Sequence, residues 1–343
     1  MKKSLLALAI LGGFAGVASA QSSVTLSGSL DAGIRHKGTA TGYDWSMGGS
    51  QSAYDSFTLS GIEDLGGGLR AFFALNHRFK IQNGADNGTT NGGGTDPFWR
   101  NTAVGLGGGF GDVRLGRILM PLQDMDGNFD PFGTGTVGSV HTGGINATLR
   151  ANNAIYYRSP NFGGVSVAAA IAAGEGQVID EIGSSVQNFN GSTALLNSQR
   201  PVGINVKYAA GPVAVGAAYD RNTADMKTAG AYGSWDFGVV KIMGQFEKGQ
   251  NYTANTLAGK TNETVKALSV GAIVPVGAFR ILAGYQRLTS NLTNANANKL
   301  GLGAEYSLSK RTLLYTDLGK WNGNRISVAN KKTQFDIGVR HAF

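Results

Sequence analysis

The segment Lys332–Phe343, KTQFDIGVRHAF, decides the fold. One of its two alternating sets of residues is mostly apolar, and the other is mostly polar. The apolar set is Phe335, Ile337, Val339, His341 and Phe343. Because successive side chains of a β-strand point to opposite faces, this strand has one apolar and one polar face. The same alternation recurs along the chain, which predicts repeated strands closed into a barrel with lipid outside and water inside.

The first twenty residues have the three parts of a secretory signal peptide. Lys2 and Lys3 give a positive start, Leu5–Val17 is a short apolar run, and Ala18–Ala20 is a small-residue cleavage site. The run is too short for a membrane-spanning helix. We therefore expect a signal peptide at 1–20 and one outer-membrane β-barrel at 21–343.

The composition favours many strands joined by tight turns. The 343 residues include 53 glycines, only 7 prolines and no cysteine. This glycine content is about twice the usual share, and such low proline content is not typical of a disordered chain. Without cysteine an exported chain has no disulfides to stabilise it. Loss of the two leader lysines would lower the formal charge from +8 to +6.

Sixteen segments carry the alternating pattern. No stretch after the leader is apolar over the roughly 18 residues that a membrane helix needs, so a closed barrel is the remaining way to cross a membrane. The segments are 24–35, 53–61, 69–80, 98–106, 111–117, 153–159, 165–171, 202–209, 212–220, 227–235, 237–248, 263–274, 278–288, 299–308, 311–321 and 332–343.

The connections between these segments alternate in length. Those after even segments are short and glycine-rich, and those after odd segments are longer and polar. This asymmetry is typical of outer-membrane barrels, which have short periplasmic turns and long external loops. A soluble sandwich or propeller would explain the alternation of side chains but not that of the loops. The pattern predicts an all-β fold, a 16-stranded antiparallel transmembrane β-barrel.

Four stretches carry a resemblance to a known family. They are Gln21–Leu26, Val104–Arg117, Asn153–Pro160 and the terminal Phe343. With them the chain resembles the general porins of Gram-negative bacteria, of the beta-proteobacterial type. The resemblance covers the whole mature chain. It implies a homotrimer in the outer membrane, in contact with lipid and lipopolysaccharide, whose third external loop folds into the barrel and narrows it.

The third external loop, at about 118–150, interrupts the strand pattern. It contains three carboxylates, Asp124, Asp126 and Asp130, together with prolines and apolar side chains that would let it pack on the barrel wall. A loop this long without regular structure is unusual unless it is functional. We expect these three acids at a pore constriction.

Arginines are expected on the wall opposite these acids. Strand parity turns Arg35 and Arg78 toward the lumen, Arg158 shares the polar parity of its strand, and Arg150 lies where the loop rejoins the barrel. Charged groups at a constriction select ions by sign, and guanidinium groups stay protonated at physiological pH. The alternative is that these arginines line a wet lumen without setting selectivity. Other basic residues with inward parity are Arg70, Arg114, Lys207, Lys241, Arg280 and Arg340.

The sequence suggests no catalytic, cofactor or metal site. The four histidines, His36, His77, His141 and His341, are scattered, and Asp124 and Asp126 lack the later ligands of a calcium loop. The basic residues are dispersed, which argues against nucleic acid as a partner. Two functions remain: a water-filled diffusion pore for ions and small hydrophilic solutes with an anion preference, or a substrate-specific channel with a solute-binding site.

Overall fold

A single antiparallel sheet makes up most of the part of the protein that the structure describes. The computed structural model describes residues 22–38, 41–49, 52–85, 99–133, 136–140, 145, 147–172, 180–182, 200–222, 225–253, 261–291, 296–324 and 332–343. The expected signal peptide at 1–20 lies outside these ranges. The strands are β1 (Ser23–Gly38), β2 (Tyr43–Gly49), β3 (Ser56–Gly66), β4 (Leu69–Arg78), β5 (Trp99–Gly108), β6 (Gly111–Leu119), β7 (Ala147–Arg158), β8 (Val165–Ala172), β9 (Asp180–Ile182), β10 (Val202–Ala210), β11 (Val213–Arg221), β12 (Lys227–Asp236), β13 (Lys241–Thr253), β14 (Thr261–Val276), β15 (Phe279–Ser290), β16 (Asn296–Ser307), β17 (Thr312–Asn322) and β18 (Gln334–Ala342).

These strands form a closed barrel of sixteen. Both β2 and β3 pair with β1, and both β8 and β9 pair with β7, so each of these two pairs continues one barrel strand. The barrel closes where β1 pairs with β18, from Ser29–Ala342 to His36–Phe335. Beyond that ladder, the N–H of Phe343 donates to the carbonyl of Gly28 at 3.0 Å. The predicted 16-stranded antiparallel barrel is confirmed.

The two faces of each strand have the predicted polarity. In β18 the apolar Ile337 and Val339 are exposed on the outer face, whereas Asp336 is fully buried on the inner face. Apolar side chains cover the outside because lipid, not water, is the solvent there. Among the described residues, no helix has the length and apolar character needed to cross a membrane.

A bulge between β6 and β7 reverses the expected orientation of one arginine. Simple alternation along β6 puts Arg117 on the outer face, but the register shifts between Gly116 and Ile118. The shift accompanies positive φ angles at Gly116 (145°) and Asn153 (50°). Arg117 is consequently buried, and its Nη1 donates to Oδ1 of Asn152 at 2.5 Å. Bulges in barrels commonly redirect a side chain in this way.

The connection between β6 and β7, called loop three below, turns into the barrel. It begins with a short helix, α1 (Pro121–Asp126), followed by a 3-10 turn at Gly127–Phe129. Proline suits the first helical position because its φ is already helical and its missing N–H would have no partner there. Apolar residues of this stretch pack on the inner face of β11, β12 and β13. The cluster consists of Leu122, Met125, Phe129, Ala218, Tyr232 and Met243.

Further along, loop three follows the inner wall of the later strands. The N–H of Val137 donates to Oδ2 of Asp336 on β18 at 3.1 Å. The hydroxyl of Ser269 on β14 donates to the carbonyl of Val140 at 3.2 Å. Ile145 packs in a separate cluster that includes Val265 of β14. The core of this protein is therefore a layer between loop three and one side of the barrel wall.

Inward-facing glycines make room for loop three on that wall. A Cβ at Gly301 or Gly319 would collide with a loop carbonyl, that of Gly138 or Val137 respectively. A Cβ at Gly271 would lie 2.6 Å from the Pro131 ring. Glycine within a strand commonly marks such a close approach of another backbone. Other described inner-wall glycines in similar contact with the loop are Gly203, Gly216, Gly249, Gly284 and Gly303.

We expect Gly319→Ala to lower the free energy of unfolding by about 1–3 kcal/mol. The added methyl would overlap the carbonyl of Val137, where loop three packs on β17. The measurement is urea unfolding in lipid vesicles, followed by tryptophan fluorescence. Gly233→Ala is the matched control, since a Cβ there would meet its nearest neighbour at an ordinary 3.8 Å. Equal free energies of unfolding for the two variants would contradict a close contact between loop three and Gly319.

Candidate functional site: the inner wall and loop three

Loop three contributes one acid to a three-residue cluster on the inner wall. Asp124, in α1, accepts a hydrogen bond from the Tyr156 hydroxyl at 2.7 Å. It also forms an ion pair with Arg158, whose Nη2 lies 3.2 Å from Oδ2 of Asp124. Arg158 Nη2 also donates to the Tyr156 hydroxyl at 3.2 Å. Tyr156 is buried, whereas the side chain of Arg158 is 44% exposed. The guanidinium therefore faces the lumen while the acid anchors α1 to the wall.

Arg35 is paired with an acid of the barrel, Asp336. Its Nη2 lies 3.3 Å from Oδ2 of Asp336, the neighbouring residue on β18. That same oxygen accepts the N–H of Val137 in loop three. Asp336 is fully buried while Arg35 is 27% exposed. The Asp336 carboxylate therefore binds both loop three and Arg35. Of the two members of this ion pair, only Arg35 is exposed to water.

Arg78, at the end of β4, lies over an aromatic ring. Its guanidinium carbon is 3.5 Å from the centroid of the Tyr54 ring. A guanidinium at this distance is attracted by the negative face of the ring. Tyr54 lies at the start of the predicted segment 53–61, but in the structure it belongs to the stretch between β2 and β3. Strand parity did not suggest this contact.

Arg150 is buried and not exposed at the constriction. It is only 2% exposed, and its Nε donates to Oδ1 of Asn101 at 2.7 Å. Arg100 and Arg117 are buried on the same part of the wall, and Arg117 Nε donates to the carbonyl of Arg100 at 3.2 Å. Parity did not identify these two neighbours.

The remaining loop acids are placed differently from each other. Asp130 is buried and organises the loop: Oδ1 accepts the N–H of Phe132 at 3.0 Å, and Oδ2 accepts the Ser139 hydroxyl at 2.6 Å. Asp126 lies in α1, and its side chain is outside the described part of the chain. Asp124 is in contact with Arg158 of β7, and Asp130 accepts hydrogen bonds from within its own loop. The expected role of the loop acids at a constriction stays a prediction.

Two further ion-pair groups line the inner wall. Asp112 accepts from Arg70 at 2.6 Å and from Arg114 at 3.1 Å. On the opposite side, Arg280 lies 2.6 Å from Glu305. The three arginines have the inward parity noted from the sequence, and Glu305 has the polar parity of its strand. Arg114 and Asp112 share one face of β6, so parity alone brings them together. The acid partners of Arg70 and Arg280 lie on other strands and follow only from the strand register.

Five ion pairs of the inner wall share one orientation. In these pairs the arginine side chain is more exposed than its carboxylate partner, whereas Arg221 and Asp225, at the end of β11, show the reverse order of 30% against 48%. The contrast is 41% against 10% for Arg280 and Glu305, and 44% against 16% for Arg70 and Asp112. The other three pairs are Arg35–Asp336, Arg114–Asp112 and Arg158–Asp124. Each of these five pairs is a dipole with its positive end toward the lumen.

The described residues offer little for other chemistry. Within the ranges that the structure covers, no group of three or more His, Asp or Glu side chains has the arrangement of metal ligands. Tyr156, Tyr232 and Tyr315 on the inner wall are buried, and their hydroxyls donate to Asp124, Glu247 and Asp31. These rings therefore do not form an exposed stacking surface.

Comparison with known proteins agrees with the barrel and its inserted loop. A sequence model of the family described as Gram-negative porin matches residues 7–325. Outer membrane porin protein 32 of Delftia acidovorans is 33% identical, with 100% of both chains aligned. An outer membrane porin protein of Bordetella pertussis is 30% identical over 100% of both chains.

Solved structures give the same result. The anion-selective porin from Comamonas acidovorans matches with a TM-score of 0.77 and 26% identity, over 94% of this chain and 100% of that chain. The outer-membrane protein OmpT of Vibrio cholerae matches with a TM-score of 0.67 at 16% identity, over 95% and 99% of the two chains, which shows a shared fold. The barrel, the inward third loop and these relatives together lead to one conclusion: the chain belongs to the Gram-negative porin family and is a protein of the outer membrane.

Proposed function

We propose that this protein is a water-filled diffusion pore for ions and small hydrophilic solutes, with a preference for anions. The observation that carries the preference is the common orientation of the five inner-wall ion pairs. Because the positive end of each pair is nearer to the water, a permeating anion meets a favourable potential and a cation an unfavourable one. The anion selectivity in the printed title of the Comamonas acidovorans relative supports the same sign.

The arginines have different roles in this proposal. Arg35, Arg78 and Arg158 contact permeating ions, because their guanidinium groups lie at the lumen surface. Arg150 is buried and acts through its field and by supporting the wall. Guanidinium groups do not lose their charge at physiological pH, so the preference would not depend on pH in that range.

The loop acids act mainly on loop three itself. Asp124 reduces the net charge at Arg158 and anchors α1, while Asp130 fixes the turn after the 3-10 helix. Asp126 completes the proposed constriction set. Loop three narrows the lumen because it packs on the inner face of the barrel wall.

We expect Arg78→Gln to lower the ratio of anion to cation permeability. A unit charge about 4 Å from an ion in water contributes on the order of 1 kcal/mol. The loss of the charge disfavours the anion and favours the cation by up to about fivefold each, so the ratio would fall by up to about thirtyfold. Reversal potentials in a KCl gradient across planar bilayers measure this ratio. The effect should weaken as salt is raised, because screening shortens the reach of the charge.

Arg311→Gln is the matched control, because Arg311 lies in the exposed turn before β17 and loses the same charge outside the lumen. It should leave the reversal potential nearly unchanged. A wild-type reversal potential of the sign expected for a cation-preferring pore would refute the proposal.

The second candidate function is a substrate-specific channel with a solute-binding site. The buried inner tyrosines argue against it, since a sugar or aromatic solute would need exposed rings to stack on. Single-channel recording separates the two functions. We expect no saturable block of the current by added maltose, glucose or chitobiose, and a block with a defined half-saturating concentration would favour the specific channel.

The assembled form in this proposal is a homotrimer in outer-membrane lipid and lipopolysaccharide. Small residues on the outer face of β1, such as Ala32, would allow close packing of subunits there. We expect chemical cross-linking of the purified protein in mild detergent to yield a limiting trimer. If cross-linking yields no species larger than a monomer, the trimer is wrong, but the proposed pore is unaffected.

A further inference from the structure

A second segment besides loop three leaves the plane of the barrel wall. β1 pairs with β3 as far as Ser29–Ser56, and it resumes pairing with β2 at Ala32–Gly49. Only two residues of β1 lie between these points, opposite the longer segment 50–55. The described part of that segment, Ser52–Asp55, is called the inner bulge below.

The inner bulge lies within the wall and not in an external loop. At the same level, β1 remains continuously paired with β18, including Asp31 with Arg340. Regular pairing of β1 with β2 and β3 flanks the bulge above and below. Extra residues in one strand of a ladder must project from the sheet, and bulges of this kind often redirect side chains near functional sites.

The hydrogen bonds of the bulge show that it projects to the inside. Arg340, with inward parity on β18, donates from Nη1 to the Ser52 hydroxyl at 3.1 Å. Ser29, with inward parity on β1, donates its hydroxyl to the carbonyl of Tyr54 at 2.8 Å. Ala53 and Tyr54 are partly exposed, whereas the two ends of the bulge are buried.

Asp31 holds the bulge in place. Its Oδ2 accepts the backbone N–H groups of Ser52 and of Ala53, the latter at 2.6 Å. Its Oδ1 accepts the Tyr315 hydroxyl at 2.6 Å, and the residue is fully buried. Backbone N–H groups that leave a ladder need other acceptors when they are buried. The Asp31 carboxylate supplies them at the point where the ladder is interrupted.

The bulge in turn positions Arg78. The Tyr54 ring of the bulge lies under the Arg78 guanidinium. The carbonyl of Asp55 accepts the N–H of Phe79, the residue after Arg78, at 3.1 Å. The N–H of Asp31 donates to Oδ1 of Asp55 at 2.7 Å, which ties the same corner back to β1. The charge on Arg78 is therefore held by a segment that Asp31 anchors.

We propose that the inner bulge is a second pore-lining element, which narrows the lumen beside β1, and that Asp31 is the positioning residue that fixes Arg78 through it. This inference rests on the proposed pore. It adds a constriction that is independent of loop three, and it assigns a role in ion selection to a buried acid that does not itself meet the ions.

The first test asks whether the bulge lines the lumen. The chain has no cysteine, so Tyr54→Cys carries a single thiol. We expect a charged methanethiosulfonate reagent to lower the single-channel conductance of Tyr54→Cys in a discrete step. Leu115→Cys, on the exposed outer face of β6, is the control and should show no step. An unchanged current in Tyr54→Cys would overturn the inference.

This test does not depend on the ion preference of the pore. If the wild-type pore proved cation-preferring, the proposed anion preference would fail, yet a conductance step in Tyr54→Cys would still place the bulge in the lumen. An unchanged current with an anion-preferring wild type would reject the bulge alone.

The second test asks whether Asp31 acts through Arg78. Asp31→Asn offers one acceptor oxygen in place of two, so we expect the bulge to loosen and the reversal potential to shift toward zero. If the two residues act together, adding Asp31→Asn to Arg78→Gln should cause no further shift, because coupled residues are not additive. Independent, additive shifts would contradict the positioning role.

Asp64→Asn is the control for the second test. Its carboxylate also accepts a backbone N–H, that of Gly66 at 2.8 Å, but in an exposed turn away from the bulge. Its reversal potential should match that of the wild type. If Asp31→Asn does not fold, Tyr54→Leu keeps the anchor and removes the ring, and the same non-additivity with Arg78→Gln is expected.

Discussion

The whole structure depends on one constraint: a backbone in hydrocarbon must satisfy its N–H and C=O groups internally. Closing β1 on β18 leaves the sheet without an edge, so the ladder can do this around the full circumference. The remaining features follow from that closure. Apolar side chains such as Ile337 face outward because the solvent there is lipid, and polar ones such as Asp336 face the enclosed space.

The lumen is partly filled by two segments, loop three and the inner bulge, which are bound to the inner face of the barrel wall. Loop three lies on glycines and is bonded to Asp336, and the inner bulge is bonded to Asp31. In both cases a buried acid of the barrel accepts backbone N–H groups of the inserted segment. The acids are thereby withdrawn from the water, whereas neighbouring arginines remain exposed. The charge that the lumen presents therefore depends on which side chains the inserted segments cover, as well as on which residues the strands carry.

Much of this architecture could be predicted from alternation alone. The sixteen strands, the two faces and the inward arginines follow from a period of two. The strand β2 also has this period, with Tyr43, Trp45 and Met47 on one parity, and could have been recognised. The glycines at Gly301 and Gly319 stand inside strands and not in turns, which is a sequence signal for close backbone approach.

Other features depend on tertiary contacts that one sequence does not reveal. The burial of Arg117 depends on a bulge opposite Asn153, and a single extra residue reverses parity without changing composition. The pairing of Asp124 with Arg158 requires the path of α1, which is set by packing on strands far along the chain. Parity could place Asp124 on a loop between β6 and β7, but its contact with Arg158 could not be predicted from the sequence.

The seam between the two ends of the chain also bears on biogenesis. Arg35 and Asp336 meet there although 301 positions separate them, and Phe343 contributes the final ladder contact. Pairings between such distant residues form slowly, because a long stretch of chain must be ordered before they can be made. The ring cannot be completed until synthesis and export have delivered β18. Until then any sheet that has formed has open edges, so the nascent polypeptide needs protection from self-association during its transit to the membrane.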